Sequence, residues 1–555
     1  MLAAVIFSFI LDIPTLGMKT ISFPSTYKEK DVVLKASYLE VEDAEYAVLI
    51  CPGYSCDRQK WRPMADLFAK NGFTVMSFDY SGQGASSGTI GFDNAKTDAI
   101  PVQIDDAIEK LHEMSGIDYS HIILVGHSMG GRSILRLLYD YNEEEADTTV
   151  TRRNIPAVIL LSPEVNYNFN AQASLFAGTS DSTSYPWVDY SPSSIAGTKV
   201  YLFGSTSDDI VSDEDVLRIY THIGADETIV PESGKWWNIT ENANGTEIAV
   251  GIDSGVLHSY LMYSPKFANY VNGALTNITG EKMIYNPNMF RLVYTIWILG
   301  LIGLALLLFG MNYQLKWEHS DDVPVLNDSK KYLITKLVMW LPATVVAFVI
   351  CCITVVMPFG SPVMNTPYMC FIAGYGVVML FMYRKGRFKG TEGKLPKLSF
   401  KFVDDKKKIL IAVGISVAIC FAVWFILRAT MYRLIPFNAR LFWVLFATVF
   451  MTVGYYVSGA EQDMLENSDA SLKVRIFYNM IQYVPLFLLV IFYMVLKSYS
   501  GMIGQVQNML LMYIFCIPLG NYLKKKTGNR ILGAAVSAFL FQTLMITSAA
   551  LIAIF

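Results

Sequence analysis

The sequence predicts two regions of different class: a mostly parallel α/β domain, and after it an all-α polytopic membrane bundle. Up to about residue 285, apolar runs of strand length alternate with helix-length segments, which is typical of a parallel sheet with helices on both faces. From residue 286 to 555, apolar runs long enough to cross a bilayer follow one another. The hydrophobic content of 53% is high for a soluble protein, and it is concentrated in that second half.

The elements of the first half follow in a regular order. "YAVLICPGY", "FTVMSFDYSGQGASSG", "HIILVGHSMGG", "PAVILLSPEV", "KVYLFGSTSDD" and "ETIVPESG" are predicted strands with their loops. "WRPMADLFAKNG", "AIPVQIDDAIEKLHEMSG" and "SILRLLYDY" are predicted helices between them. In such a sheet the functional site is expected at the carboxyl ends of the strands.

The stretch "LVGHSMGG" at residues 124–131 places a serine between glycines directly after a predicted strand. A sharp strand-to-helix turn of this kind exposes a serine oxygen above a parallel sheet. Gly126 and Gly130 would permit the cramped backbone, because they have no Cβ to clash. A plain strand–turn–helix junction explains the pattern equally well, so the interpretation of Ser128 as a nucleophile depends on its partners.

A serine nucleophile needs a base and a carboxylate, in the chain order Ser, Asp, His on this kind of sheet. "VYLFGSTSDDIV" offers Asp208 or Asp209 just past a strand, although an acid there would also suit a helix cap. "SDED" at 212–215 is the better cap. His258 follows the last predicted strand, where the base is expected, whereas His222 precedes that strand at a helix end. The sequence therefore predicts His258 as the base, with His222 as the alternative.

Two backbone amides are also needed to bind the oxyanion of an acyl-transfer intermediate. One is expected from Met129, the residue after the serine. The other is expected from Tyr54, which follows Gly53 in the turn after the first predicted strand. The serine turn, the acid, the histidine and the oxyanion turn all occur in the required order. This combination is less probable by chance than the serine turn alone.

The stretch "CPGYSCDRQKWRPMADLFAKNGFTVMSFDYSGQGASSG" followed by "GHSMGG" resembles the α/β-hydrolase superfamily, in particular its monoacylglycerol lipases and serine aminopeptidases. The resemblance covers roughly residues 30 to 275. It implies Ser128 as the nucleophile, Asp208 in "DDIV" as the acid and His258 as the base, with the amides of Tyr54 and Met129 as the oxyanion hole.

The sequence departs from this family pattern in three places. Pro52 stands where the family usually has a histidine before the oxyanion glycine. Residues 232–257 separate the last predicted strand from His258 by more than the family pattern does. The membrane half has no counterpart in the soluble relatives.

About eight membrane spans are predicted in the second half. They are centred near Leu301, Ala347, Ala373, Val417, Ala447, Leu488, Met512 and Phe541. The basic loops at 316–331, 384–408 and 524–530 all fall on one face, which predicts a cytoplasmic location for that face and an extracytoplasmic location for the first half. Three arginines on the opposite side break this rule, namely Arg428, Arg433 and Arg440. No acidic or basic residue is expected in the middle of a span, and polar side chains such as Gln482 and Gln505 are expected to bond neighbouring helices or to line a path.

The predicted organisation has three parts. Residues 1–17, with "MLAAVIFSFIL", form a signal or anchor segment that lacks a basic start. Residues 18–285 form the hydrolase-like domain, and residues 286–555 form the membrane domain. Within the first domain, Cys51 and Cys56 would be able to form a disulfide outside the cytosol, but free thiols are the favoured interpretation.

Two stretches are predicted to bind substrate. Residues 165–194 lie where related enzymes carry a cap over the site, and they include Phe176 and Trp187. Residues 234–245 include Trp236 and Trp237, whose side chains favour a boundary between an apolar and a wet environment. The alternative is that both tryptophans only pack their loop onto the domain.

The predicted function is a membrane-anchored serine hydrolase that cleaves an acyl ester of a lipid or amphiphile, with the bilayer as partner. An acyltransferase, a peptidase, and a transporter or scaffold that carries an inactive hydrolase-like module are the alternatives. A net charge of −4 without a basic stripe predicts no nucleic-acid partner. No cofactor and no metal are predicted, and the oligomeric state is left open.

Overall fold

The structure is a computed structural model. It describes residues 17–27, 30–90, 100–142, 153–164, 195, 197–224, 238–242, 244–313, 315, 323–357, 360–362, 366–395, 402–427, 439–547 and 549–552. The predicted segment 1–17 therefore lies outside the described residues except for Gly17.

A nine-stranded sheet forms the first half of the chain. Its strands are β1 (Lys19–Tyr27), β2 (Lys30–Leu39), β3 (Ala47–Cys51), β4 (Thr74–Asp79), β5 (Ile122–His127), β6 (Ala157–Leu161), β7 (Lys199–Ser205), β8 (Asn238–Glu241) and β9 (Glu247–Asp253). Their spatial order is β1-β2-β4-β3-β5-β6-β7-β9-β8. Strands β4, β3, β5, β6, β7 and β9 are neighbours in this order and run parallel. Strands β1 and β2 are antiparallel to each other and β2 is antiparallel to β4 at one edge, and β8 is antiparallel to β9 at the other.

The sequence of each strand matches its place in the sheet. Strands β3, β5 and β6 are continuous apolar runs with every residue buried, as expected for parallel strands covered on both faces. Edge strand β1 instead alternates between buried and exposed side chains in its second half, because one of its faces meets water. Two hydrophobic clusters flank the sheet, one containing Leu124 and Val250 and the other Trp61 and Val125.

Five helices cover the sheet: α1 (Arg62–Lys70), α2 (Ile100–Ser115), α3 (Met129–Asn142), α4 (Asp213–His222) and α5 (Pro265–Thr279). The first three correspond to the helices predicted from the sequence. Helix α4 begins where "SDED" predicts a cap, since the Ser212 side chain accepts a hydrogen bond from the Asp215 amide.

The long separation before His258 has a structural explanation. The predicted strand "ETIVPESG" lies outside the described residues, within 225–237. Residues 232–257 instead contain the unpredicted strands β8 and β9, and β9 runs parallel to β7. His258 therefore follows the last parallel strand by only five residues, on the same edge of the sheet as the loop after β7.

The described part of the second half is mostly helical, with one short antiparallel pairing of Val325–Leu326 with Thr391–Glu392. Its helices are α6 (Met289–Tyr313), α7 (Ser329–Val355), α8 (Thr366–Arg384), α9 (Lys406–Leu427), α10 (Ala439–Glu466), α11 (Leu472–Ile481), α12 (Val484–Val495), α13 (Tyr499–Thr527) and α14 (Arg530–Ile546). Among the described residues, six helices are long and apolar enough to cross a membrane, and α11 with α12 forms a seventh candidate bent by 62°. Helix α14 is apolar but shorter. These positions are compatible with the eight predicted spans.

A buried ion pair joins two helices of this half near their ends. Lys336 on α7 and Glu461 on α10 form an ion pair with Nζ and Oε2 2.7 Å apart, and both side chains are almost fully buried. The Tyr383 hydroxyl donates to the other Glu461 oxygen at 2.8 Å, and Tyr478 donates to Oε2 at 3.2 Å. Lys336 lies seven residues into α7, so in the sequence it resembles a lysine at a helix end. Its partner Glu461 lies five residues before the end of α10, and only the fold brings the two together.

The carboxyl edge of the sheet contacts the helical region. Arg440, at the start of α10, is fully buried and donates from Nη2 to the carbonyl oxygens of Gly82 (2.8 Å) and Ala549 (2.7 Å). The Leu551 amide donates to the same Gly82 oxygen at 2.8 Å, and the Ile90 amide donates to Leu551. Arg440 thus joins the two halves of the chain, whereas Arg428 and Arg433 lie outside the described residues.

Candidate active site

The turn between β5 and α3 has a strained residue at its tip. Ser128 has a φ of 53°, in the left-handed region that a serine rarely adopts. A Cβ placed on Gly130 would lie 2.1 Å from the Cys51 carbonyl oxygen, and one on Gly126 would lie 2.7 Å from the Gly131 Cα. Gly130 therefore lets the turn pack against the end of β3, and Gly126 lets β5 and α3 approach each other closely, which is the sharp geometry that the sequence pattern predicts.

Two acids stand side by side after β7, and they point to different partners. Asp208 Oδ2 lies 2.8 Å from His258 Nδ1, and both side chains are buried. Asp208 Oδ1 accepts from the amides of Ile210 (2.9 Å) and Val211 (2.8 Å). Asp209 is instead hydrogen-bonded to Ser500, so Asp208 is the acid that the structure places beside the histidine.

The electrostatics keep Asp208 ionised. Burial alone would raise the pKa of Asp208, but the nearby His258 and the amide hydrogen bonds outweigh this and hold the pKa below its ordinary value. An ionised carboxylate at Nδ1 fixes the imidazole so that Nε2 is the atom left to exchange a proton.

His258 lies next to the residue that precedes Ser128. The rings of His127 and His258 are 4.6 Å apart, and His127 Nε2 lies 3.1 Å from the His258 carbonyl oxygen. Burial, reinforced by His258, lowers the pKa of His127 to about 3. His127 is therefore neutral at physiological pH and supports the loop of His258. The alternative base His222 ends helix α4, where its Nδ1 lies 2.9 Å from the Arg218 carbonyl oxygen.

The two predicted oxyanion donors flank the serine. Met129 is the first residue of α3, so its amide has no partner within the helix. Gly53 lies against the turn that carries Ser128, since a Cβ on this glycine would be 3.1 Å from the Ser128 Cβ and 2.8 Å from His127 Nδ1. Tyr54 follows this glycine, so both predicted donors belong to backbone that closes on Ser128.

The loop after β4 is built around a buried carboxylate. Asp79 accepts hydrogen bonds from the Arg58 amide (2.8 Å) and the Ala85 amide (2.9 Å), and it forms an ion pair with the Arg58 guanidinium. A Cβ on Gly84 would fall within 2.4 Å of that carboxylate. The "DYSGQGASSG" stretch thus supports the loop after β3, to which Arg58 belongs.

Glu164 is a site residue that sequence reasoning missed. Its amide donates to the Ser128 carbonyl oxygen at 3.0 Å, and its side chain is buried. In the described part of the chain, Oε1 of this carboxyl has no hydrogen-bond partner. Burial raises the pKa of Glu164 to about 7, opposed by the nearby charges of Arg132 and His258. The signal available in the sequence was an acid directly after a buried strand, in "LLSPEV".

Four predicted substrate contacts lie outside the described residues: Phe176, Trp187, Trp236 and Trp237. Within the described ranges, no group of three or more His, Cys, Asp or Glu side chains is arranged to hold a metal ion. Cys51 and Cys56 are buried free thiols.

Comparison with known proteins bears on the first half of the chain. A family model described as alpha/beta hydrolase fold matches residues 46–186, about a quarter of the chain. No curated protein matches the chain.

Solved structures that resemble the chain include three esterases. The esterase Pf2001 of Pyrococcus furiosus is 17% identical, with 48% of this chain and 92% of that chain covered and a TM-score of 0.33. The carboxylesterase Cest-2923 of Lactobacillus plantarum is 16% identical, with 44% and 86% covered and a TM-score of 0.33. Esterase 2 of Thermogutta terrifontis is 18% identical, with 48% and 96% covered and a TM-score of 0.33. From the family match and the observed strand order, the N-terminal part of the chain has the α/β-hydrolase fold.

Proposed function

We propose that this protein is a membrane-anchored serine hydrolase that cleaves an acyl ester through an acyl-serine intermediate. The observation that carries the proposal is the pairing of Asp208 with His258 beside the strained turn of Ser128. A serine held at such a turn gains nothing in stability from its conformation, and strain of this kind is concentrated at functional sites.

The reaction proceeds in two steps on these residues. Ser128 Oγ attacks the ester carbonyl carbon and gives its proton to His258 Nε2, while the amides of Tyr54 and Met129 stabilise the oxyanion. The carbonyl carbon–alkoxy oxygen bond then breaks, and His258 returns the proton to the leaving alcohol. Water adds to the acyl-serine with His258 as base, which releases the acid and restores Ser128. Asp208 stays ionised and orients the imidazole throughout.

An amphiphilic substrate is favoured by where the site lies. The carboxyl edge of the sheet is the edge that meets the helical region, through the Gly82 loop and residues 549–552. Helices α6, α7 and α9 present many apolar side chains at their surface, among them Leu299, Leu341 and Leu410. A lipid-embedded bundle would hold the site close to acyl chains. The resemblance to monoacylglycerol lipases makes a single-chain glyceride the first ester to examine.

The charge pattern supports an extracytoplasmic site. Residues 385–395 follow α8, and residues 524–530 cover the end of α13 and the start of α14. These helix ends are remote from Ser361, Arg440 and Ala549. Basic loops face the cytoplasm in membrane proteins. The hydrolase-like domain would then lie on the opposite side.

A membrane-impermeant fluorophosphonate tests activity and orientation together. Sealed cells should label at Ser128 as completely as lysate does, and Ser128→Ala should remove the label in both. Labelling that appears only after lysis would overturn the external location, and equal labelling of Ser128→Ala would overturn the nucleophile. A vesicle assay with monoacylglycerol then measures glyceride hydrolysis, and an active enzyme that leaves this ester intact would exclude that substrate.

A further inference from the structure

Helix α13 contacts the loop that carries the proposed catalytic acid. The Asp209 carboxylate accepts two hydrogen bonds from one residue of α13, from the Ser500 amide to Oδ2 at 2.6 Å and from the Ser500 hydroxyl to Oδ1 at 2.5 Å. Ser500 is buried, and it is the second residue of its helix, where amides have no intrahelical partner. The bond is therefore charge-assisted and lies at the positive end of the helix dipole.

The same short loop is tied on its other side to the loop of the base. The Ser207 hydroxyl accepts from the Gly255 amide at 2.8 Å, three residues before His258. The Thr206 amide donates to the Asp253 carbonyl oxygen at 2.8 Å. Residues 206–209 thus connect the histidine loop to helix α13, with Asp208 between the two attachments.

The exposed side of this loop has one contact with the helical region through Asp209, and the Ile210 side chain beside it is 48% exposed. On its inner side the loop is held by the buried Val211 and by the amides of Ile210 and Val211, which donate to Asp208 Oδ1. Since Asp208 and Asp209 are adjacent in the backbone, a shift of one moves the other.

We propose that Asp209 is a positioning residue: through its two hydrogen bonds to Ser500, the helical region holds Asp208 in register with His258. This inference rests on the proposed hydrolase function. It gives the helical region a role in turnover besides that of an anchor, because the acid would be set correctly only while α13 is docked on the sheet edge.

The test compares variants of the full-length protein purified in detergent, with p-nitrophenyl acetate as substrate. Asp209→Ala is expected to lower kcat by about 10- to 100-fold with little change in KM, since a misplacement of about 1 Å costs up to 10²-fold. Ser500→Ala should give a smaller fall, because its amide bond remains. The double variant should be no slower than Asp209→Ala, since both changes remove one shared interaction. Glu214→Ala, an exposed acid in the first turn of α4, is the matched control and should leave kcat unchanged.

Two outcomes would overturn the inference: a folded Asp209→Ala or Ser500→Ala with wild-type kcat, or effects of the two changes that multiply fully. If Asp209→Ala does not fold, Ser500→Ala alone decides, by the presence or absence of a fall in kcat. Ser128→Ala is measured in parallel. Full activity of that variant would refute the hydrolase proposal itself, whereas loss in Ser128→Ala without loss in Asp209→Ala refutes only the positioning role.

Discussion

His258 and Asp208 are joined by a buried hydrogen bond of 2.8 Å between Nδ1 and Oδ2, although 50 residues separate them in the chain. Their strands, β7 and β9, are neighbours in the sheet and run in the same direction. The two side chains meet because the loops that follow these strands leave the sheet at one edge.

Replacing Asp208 with asparagine should reduce kcat for ester hydrolysis by about 10⁴-fold, because an amide at this position favours the wrong tautomer of the histidine. Single-turnover acylation by a p-nitrophenyl ester measures the effect. Glu214→Gln is the control and should keep wild-type rates. Activity within about tenfold of wild type in Asp208→Asn would remove Asp208 from the proposed triad.

Replacing Ser128 with glycine and with alanine distinguishes the chemical role of its hydroxyl from the backbone strain of its turn. Both variants should lose phosphonate labelling. Ser128→Gly should unfold at a higher temperature than Ser128→Ala, corresponding to about 1 kcal/mol, because the positive φ of 53° is strained for any residue with a Cβ. Thermal unfolding of the two purified variants measures the difference. Equal stability would show that the turn relaxes in the absence of the hydroxyl.

Glu164→Gln should change how stability depends on pH. The folded-state pKa of about 7 lies above the ordinary value of 4.5, so wild-type stability from this group is complete below about pH 4.5 and is lost as pH rises through 7. The variant, which cannot ionise, should therefore gain on the order of 3 kcal/mol relative to wild type between pH 4.5 and 8. Denaturant unfolding of both proteins at the two pH values provides the measurement. A constant difference in unfolding free energy would contradict the raised pKa.

Lys336→Met should destabilise the helical region by about 3–5 kcal/mol, because it leaves the buried Glu461 carboxylate without its cation. The paired change Lys336→Met with Glu461→Gln should recover part of that loss, since the uncompensated charge is gone while acceptors for the tyrosine hydroxyls remain. Thermal unfolding in detergent compares the three proteins. A single variant as stable as wild type would show that the ion pair does not support helix packing.

The parts of the fold that follow from local pattern were predictable. Strands β3 to β7 are apolar runs bounded by turns, and the loop after β5 has the glycines that its backbone needs. Strand β8 is a short polar run, and β9 was not predicted because "ETIVPESG" was assigned as the last strand, although "IAVGI" at 248–252 is an apolar run of strand length. The positions of β8 and β9 in the strand order depend on long-range contacts, which a local sequence pattern does not specify.

The site was predictable to the level of the loop, and less so to the level of the residue. "SDDIV" places two acids after β7, and neither propensity nor spacing says which of Asp208 and Asp209 turns inward. The burial of Glu164 and the hydrogen bond from its amide to Ser128 are tertiary properties, which a local sequence pattern does not specify. The contact with Ser500 joins residues 291 positions apart and has no signature in the sequence.

Residues 549–552 have a consequence for how the protein is made. Leu551 completes the hydrogen bonding of the Gly82 loop, and Ile552 is buried in the same hydrophobic cluster as Leu124. A ribosome delivers these residues only after all of the helices from α6 to α14, whereas domains usually fold as they emerge. The Gly82 loop of the first domain therefore stays without its Leu551 partner until the whole helical region has been synthesised. Residues 549–552 thus complete the first domain last, and a chain that stalls before them leaves that domain incomplete.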